Sequence, residues 1–518
     1  MTNITALIID FDKKCLALEA YAEQGSLWSS EALKVSQLLR NAQREEAPDI
    51  DGLLNILHRA QRVFQVHAAK LEHSTDFMTA VETTASKLWQ DFGSPAVSTE
   101  LQAVLADKLY NAKAGDRGVM LNLGDNAKTI GPILVNKCLE DNIPFDTVFA
   151  SQNFGSQLLN HAEEAGIVDL AAAAVQQYVA VNKSIDVTSG RPENAVVEPD
   201  VQKSKIYAKA AEAIGTRRSS GDLFYTLTTI PTRKDAEIDQ FNYQDILKIF
   251  FEMCDQPWDK IAQAHEALIA EFDAAREIHI TNNDGTDVTM NIEGFTFCNS
   301  LIAKNVPGSE IFSGLTRDGE KGIKGTICAK GLFYPPGMGN KPIKNLTLEF
   351  DQGKIVKFEA EEGAEHFQEF LDRDPNNYYL GEIGIGTNPH LKKHLVNVLL
   401  VEKISGSFHV ALGQSYQFKK YGGKPVHVDN GNRSKSHWDV TTMLFGKGGT
   451  IELDGRAVMK NGIWLDPQYE VLNKGWAVVP VNQRPDYWKA FNGYDANGQA
   501  LWNNPLSAPL KPPAPTGN

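Results

Sequence analysis

The tightest constraint on the fold is a strand–helix–strand rhythm that begins near Val97. Gly118-Val-Met-Leu-Asn-Leu123 is an apolar run of strand length, and Gly124-Asp125-Asn126 turns the chain. The segment to about Leu139 then reads as a helix, and Phe145 to Ala150 as a second strand. Strands joined by a helical crossover lie parallel, so residues 97–232 are expected to form an α/β domain with parallel strands. The first turn lacks the GxGxxG pattern that brings a backbone against a dinucleotide pyrophosphate, so no nucleotide is assigned there.

The flanking regions follow other rules. Residues 1–96 read as a helical extension, with Leu53, Leu57, Ala60, Phe64 and Leu71 at helical spacing. Ile230-Pro-Thr232 marks a boundary, after which Tyr243 to Cys254 and Trp258 to Ala275 read as helices. Asp255 and Pro257 fit the start of the second. From Arg276 the pattern is antiparallel strand, with Asn283-Asp284-Gly285 as a hairpin signal. Leu346, Leu348 and Phe350 alternate before the turn Asp351-Gln352-Gly353. Residues 233–500 are therefore expected to form an α+β domain, and the Pro-rich tail 501–518 to be disordered. A chain of 518 residues accommodates two or three such domains.

Charge and cysteine usage exclude several partners. A net charge of −14 argues against a nucleic-acid backbone, which needs clustered Lys and Arg. The five cysteines are scattered and form no CxxC pair, which argues against a disulfide framework or a thiolate zinc site and fits a reducing compartment. The N-terminus lacks a basic segment followed by a long apolar stretch, and no run reaches the roughly 18 apolar residues of a membrane span. The expected location is cytoplasmic.

Candidate chemistry gathers between residues 305 and 440. Ser436-His437-Trp-Asp439 reads as the start of a strand, where side chains two apart share a face, so His437 and Asp439 point together. An imidazole and a carboxylate on one face suit a divalent metal. His427-Val-Asp429 has the same spacing and is a competing pair. His409 stands in an apolar strand, with Tyr416 seven residues on, past the Gly413 turn. Glu382, in Leu-Gly-Glu-Ile-Gly-Ile-Gly386, and Glu310, after a Pro-Gly turn, are carboxylates that sit badly in an apolar setting without a partner.

These segments resemble the aminopeptidase T and aminopeptidase S family of thermophilic-type leucyl metallo-aminopeptidases, over roughly residues 98–480. Asn305-Val-Pro-Gly-Ser-Glu310 resembles its N-x-P-x-G-E, with Ser309 for Gly, and Leu380-Gly-Glu382 its L-G-E. His409-Val-Ala-Leu-Gly-Gln-Ser-Tyr416 resembles its H-x-A-x-G-x-x-Y. Asn432-Arg-Ser-Lys-Ser-His437-Trp-Asp439 resembles its N-x-S-x-x-H-x-D, which selects this pair over His427 and Asp429. The family's D-E-N-x-x-x-H is altered: Val401 and Lys403 flank Glu402 in place of Asp and Asn, and His409 comes two residues later.

The resemblance implies two divalent ions (zinc, cobalt or manganese) held by Glu310, Glu382, His409, His437 and Asp439, with Glu402 as a further ligand. It implies Glu382 and Tyr416 as catalytic groups, peptides as substrates and a homodimer as the assembly. A shared water acidified by two ions would attack the first peptide bond. Two other readings remain: a non-haem iron(II) ring-cleaving dioxygenase using His409, His437 and Asp439, and a catalytically weak binding relative.

Overall fold

A computed structural model describes residues 97–502, apart from 125, 128–129, 151–158, 192–199, 302–303 and 340. The helical extension expected over 1–96 and residues 503–518 of the tail lie outside the described residues. The chain divides into two compact units that part between Lys234 and Asp235. Among the described residues no helix is long and apolar enough to cross a membrane.

The first unit is built on four strands, β1 (Val119–Gly124), β2 (Phe145–Ala150), β3 (Lys183–Ser189) and β4 (Phe224–Ile230), in the order β2-β1-β3-β4. All pair in parallel. Helices Gly131–Glu140, Glu164–Ala180, Val201–Ala210 and Glu212–Ser220 supply the crossovers. Val119, Met120, Leu121 and Leu123 of β1 are fully buried, as a central strand of a parallel sheet requires.

The second unit pairs strands almost entirely antiparallel. Its larger sheet holds β5 (Glu277–Thr281), β6 (Asp287–Asn291), β9 (Lys324–Phe333), β10 (Ile343–Asp351), β11 (Lys354–Glu362), β17 (Thr450–Leu453), β18 (Arg456–Lys460) and β19 (Ile463–Trp464). The smaller has the order β16-β13-β12-β8-β7, from β7 (Cys298–Ser300), β8 (Glu310–Ser313), β12 (Leu380–Gly386), β13 (Ser407–Gly413) and β16 (His437–Met443). Short strands β14 (Lys420–Tyr421) and β15 (Lys424–Pro425) form a separate hairpin. Gln352 and Gly353 both take positive φ, 49° and 92°, which is the turn geometry that joins β10 to β11 without splaying them.

One hydrophobic core serves both sheets. Ile278, Ile280, Val288, Ile327, Leu346 and Leu348 of the larger sheet cluster with Ile311, Ile383, Ile385, Phe408, Val410, Trp438 and Val440 of the smaller. Helix Trp258–Ala274 adds Ile261, Leu268 and Phe272, and helix Ala364–Asp372 adds Phe367 and Phe370. Burying each such side chain contributes about 1.5–3 kcal/mol. The smaller sheet thus spends every second residue on the core and presents the others on its opposite face. Asp255 does not cap the helix that starts at Trp258; the N-cap is Pro257 with no side-chain bond. Asp255 instead accepts from the Trp488 indole at 2.7 Å.

Candidate metal centre

The register of the smaller sheet decides which side chains meet. Glu382 pairs with Ala411, which pairs with Asp439. One step along, Phe312, Gly384, His409 and Thr441 form a row across four strands, and beside it Glu310 pairs with Gly386. Gly413 pairs with His437 at the other end. Paired and alternate residues share a face, so Glu310, Glu382, His409, His437 and Asp439 all project away from the core.

Small residues between them make room. A Cβ on Gly384 would lie 2.1 Å from His409 Nε2, so the imidazole rests directly over that glycine. His409 Nε2 then lies 3.5 Å from Glu310 Oε2 and 4.0 Å from Glu382 Oε1. His437 Nε2 lies 3.1 Å from Glu382 Oε2 and 3.5 Å from Asp439 Oδ1. Glu382, His437 and Asp439 each bring a ligand-type atom within 4.8 Å of the others.

Two observations test whether this set fits a divalent ion. His437 Nδ1 donates to the Gln414 carbonyl at 2.8 Å, which turns Nε2 toward the carboxylates as the atom where an ion would replace the proton. Glu310 Oε2, His409 Nδ1 and Asp439 Oδ1 are buried and have no hydrogen-bond partner. Buried polar atoms are rarely left so, and oxygen and imidazole donors suit zinc, cobalt or manganese. The residues fit the ion that the sequence implies.

The electrostatics also call for a cation. Burial pushes the Glu382 carboxyl up to about 8, although His437 opposes the shift. Burial works against a charged His437, but Asp439 and Glu382 outweigh it and raise its pKa well above the ordinary value. Burial also disfavours a charged Asp439; His437 prevails and holds its pKa below the ordinary carboxylate value. His409 is lowered, chiefly by burial, and so stays a neutral donor. Tyr416 packs its ring 5.4 Å from that of His437 and 5.2 Å from Phe312, and remains 37% exposed. Desolvation of the phenol, followed by Glu382 and Asp439, raises its pKa well above the ordinary value, so it keeps its proton.

Glu402 and Lys403 complete the group. Glu402 follows the short helix Val398–Val401 and is buried, its carboxyl pushed up to about 7 mainly by desolvation. Lys403 Nζ bonds Glu310 Oε1 and lies 2.7 Å from Glu402 Oε1, with 1% of its side chain exposed. Sequence reasoning noted Lys403 only as a departure; the available signal was a charged pair inside the apolar run Val398-Leu-Leu-Val-Glu-Lys-Ile404. The competing pair is engaged elsewhere. His427 stacks on Phe295 with centroids 4.7 Å apart, and Asp429 takes two 2.7 Å bonds from Arg433. A cavity of about 700 Å³ in the same unit, lined by Lys392, Phe445 and Tyr494 among others, includes none of the centre's residues.

Residues 100–464 match the thermophilic metalloprotease (M29) family. The chain belongs to that family. Among similar proteins, aminopeptidase AmpS of Bacillus subtilis is 27% identical over 261 residues, which are 45% of this chain and 61% of that protein. Aminopeptidase 2 of Geobacillus stearothermophilus is 30% identical over 132 residues, 24% of this chain and 28% of that protein. The chain's similarity thus spans less than two thirds of either relative's length. The fold is similar to that of AmpT from Thermus thermophilus, with a TM-score of 0.56 and 20% identity over 71% of this chain and 98% of that one. M29 membership makes a divalent metal cofactor part of the expectation for this centre.

Proposed function

We propose that this M29 chain is a metal-dependent aminopeptidase that releases the N-terminal residue of peptides at the face carrying Glu382, His437 and Asp439. The observation that carries the reading is the convergence of these three side chains, with His437 Nε2 turned toward the two carboxylates by its Nδ1 bond to Gln414. Both curated relatives are named as aminopeptidases, which supports the same assignment. Glu382, His437 and Asp439 would hold one ion. The resemblance implies two ions, and Glu310, His409 and Glu402 are its remaining ligands.

An ion in such a site lowers the pKa of a water toward neutrality and polarises a carbonyl. The chain's own groups supply the remainder. In its ionised form the Glu382 carboxylate, 3.1 Å from His437 Nε2, can take a proton and return it to the departing amine. The Tyr416 hydroxyl stays protonated and can donate to an oxyanion developing at the scissile carbon. The free α-amine of the substrate, a cation, is drawn to the buried carboxylates. An aromatic wall of Phe312, Tyr416, Phe418 and Tyr421 lies beside them and suits a large apolar N-terminal side chain.

The test compares leucyl, phenylalanyl and glycyl dipeptides with their N-acetylated forms, with and without added zinc, cobalt or manganese. The expected outcome is metal-dependent release from free N-termini, leucyl and phenylalanyl faster than glycyl, and none from acetylated substrates. Equal cleavage of acetylated peptides, or no cleavage with any ion, would contradict the proposal.

A further inference from the structure

We infer that the Lys403 ammonium fills the second cation position of this centre, so that the chain binds one divalent ion per site rather than two. The inference rests on the metal-centre reading above and concerns its stoichiometry. Lys403 Nζ bonds Glu310 Oε1 and lies 2.7 Å from Glu402 Oε1. These are the carboxylates a second ion would need.

The lysine is held in place. Its backbone carbonyl accepts from Asn388 at 2.7 Å, and its N–H donates to Leu400 O at 3.1 Å. Asn388 is itself fully buried and donates through its amide to Met253 O at 2.9 Å. The side chain is 1% exposed, so the ammonium is shut away from solvent. A divalent ion on the same oxygens would sit beside a fixed positive charge, and like charges at that range repel strongly in a buried setting. No ammonium pairs with Glu382, His437 or Asp439 among the salt bridges of the described residues. The two halves of the centre therefore differ. One holds only an imidazole whose Nε2 an ion can take over, and the other already carries a fixed ammonium.

Metal content per chain, measured by plasma mass spectrometry after equilibration with excess manganese and gel filtration, tests this. Electron paramagnetic resonance of the same samples separates isolated from exchange-coupled ions. The wild type is expected to hold one manganese with an uncoupled spectrum. Lys403→Met and Lys403→Gln, with folding checked by circular dichroism, are expected to rise toward two with a coupled spectrum. Two coupled ions in the wild type, or folded variants that stay at one, would overturn the inference while leaving the metal-centre reading intact. No bound ion in the wild type would overturn both. Should neither variant fold, the wild-type stoichiometry and spectrum still decide.

Discussion

Gly384 matters for the side chain it lacks. Its Cα faces the His409 ring, and a Cβ there would meet Nε2 at 2.1 Å and Cε1 at 2.2 Å. The imidazole is wedged between β12 and the carboxylates, and it cannot yield without leaving Glu310 and Glu382. Gly384→Ala is expected to leave a folded protein whose divalent-ion affinity falls about 10–100-fold, because the displaced His409 ring, 4.0 Å from Glu382 Oε1, no longer positions that carboxylate. Isothermal titration with zinc or manganese checks this, and unchanged affinity would show that His409 does not position Glu382. At this scale much was legible in the sequence. The spacing of His437 and Asp439 alone places them on one face. Lys403 was not legible as a partner of Glu310, because the two are 93 residues apart and no local rule reports such a contact.

Between elements, a buried polar chain ties the helix Trp258–Ala274 to the centre. His265 bonds Asn299 Oδ1 through Nδ1 and Thr387 Oγ1 through Nε2, both at 2.7 Å, and Thr387 bonds Ser309 Oγ at 2.7 Å. These partners assign a neutral ring that donates from Nδ1 and accepts at Nε2. Ser309 precedes Glu310 and holds a φ of 101°, a conformation that favours glycine; its bonds to Thr387 and to Ser300 O at 2.9 Å help offset the cost. Burial lowers the pKa of His265 to about 4, only partly opposed by Asn299, against an ordinary value of 6.5. Above pH 6.5 the ring is neutral in both the folded and unfolded states, and its share of stability is intact. As pH falls from 6.5 toward 4 the unfolded chain binds a proton that the folded one refuses, so stability drops by about 3 kcal/mol over that window. His394, also lowered to about 4 by burial, adds a loss of the same sign. Urea unfolding between pH 4 and 7 should show this slope, and His265→Gln should flatten it in part; an unchanged slope would rule out His265 as its source. The strands themselves were readable from alternation and turn residues. Their pairing across the sheet was not, since alternation fixes which face a residue takes but not its neighbour on the next strand.

For the whole molecule, the smaller sheet explains how one surface gathers so many charges. Its core-facing residues Ile383, Ile385, Phe408, Val410 and Val440 anchor it, and the opposite face is free for groups that folding alone would not select. Such a face is stable only if the charges are paired or hold a cation. The α/β character of the chain was legible from the strand–helix rhythm, and the antiparallel pattern from the hairpin turns. The central claim, that His437 rather than the equally spaced His427 serves the ion and the reaction, is tested most directly by comparing His437→Ala with His427→Ala. Each is assayed for ion retention after gel filtration and for leucyl dipeptide hydrolysis. We expect His437→Ala to lose the ion and turnover, and His427→Ala to keep both. Loss in the His427 variant alone would contradict the account.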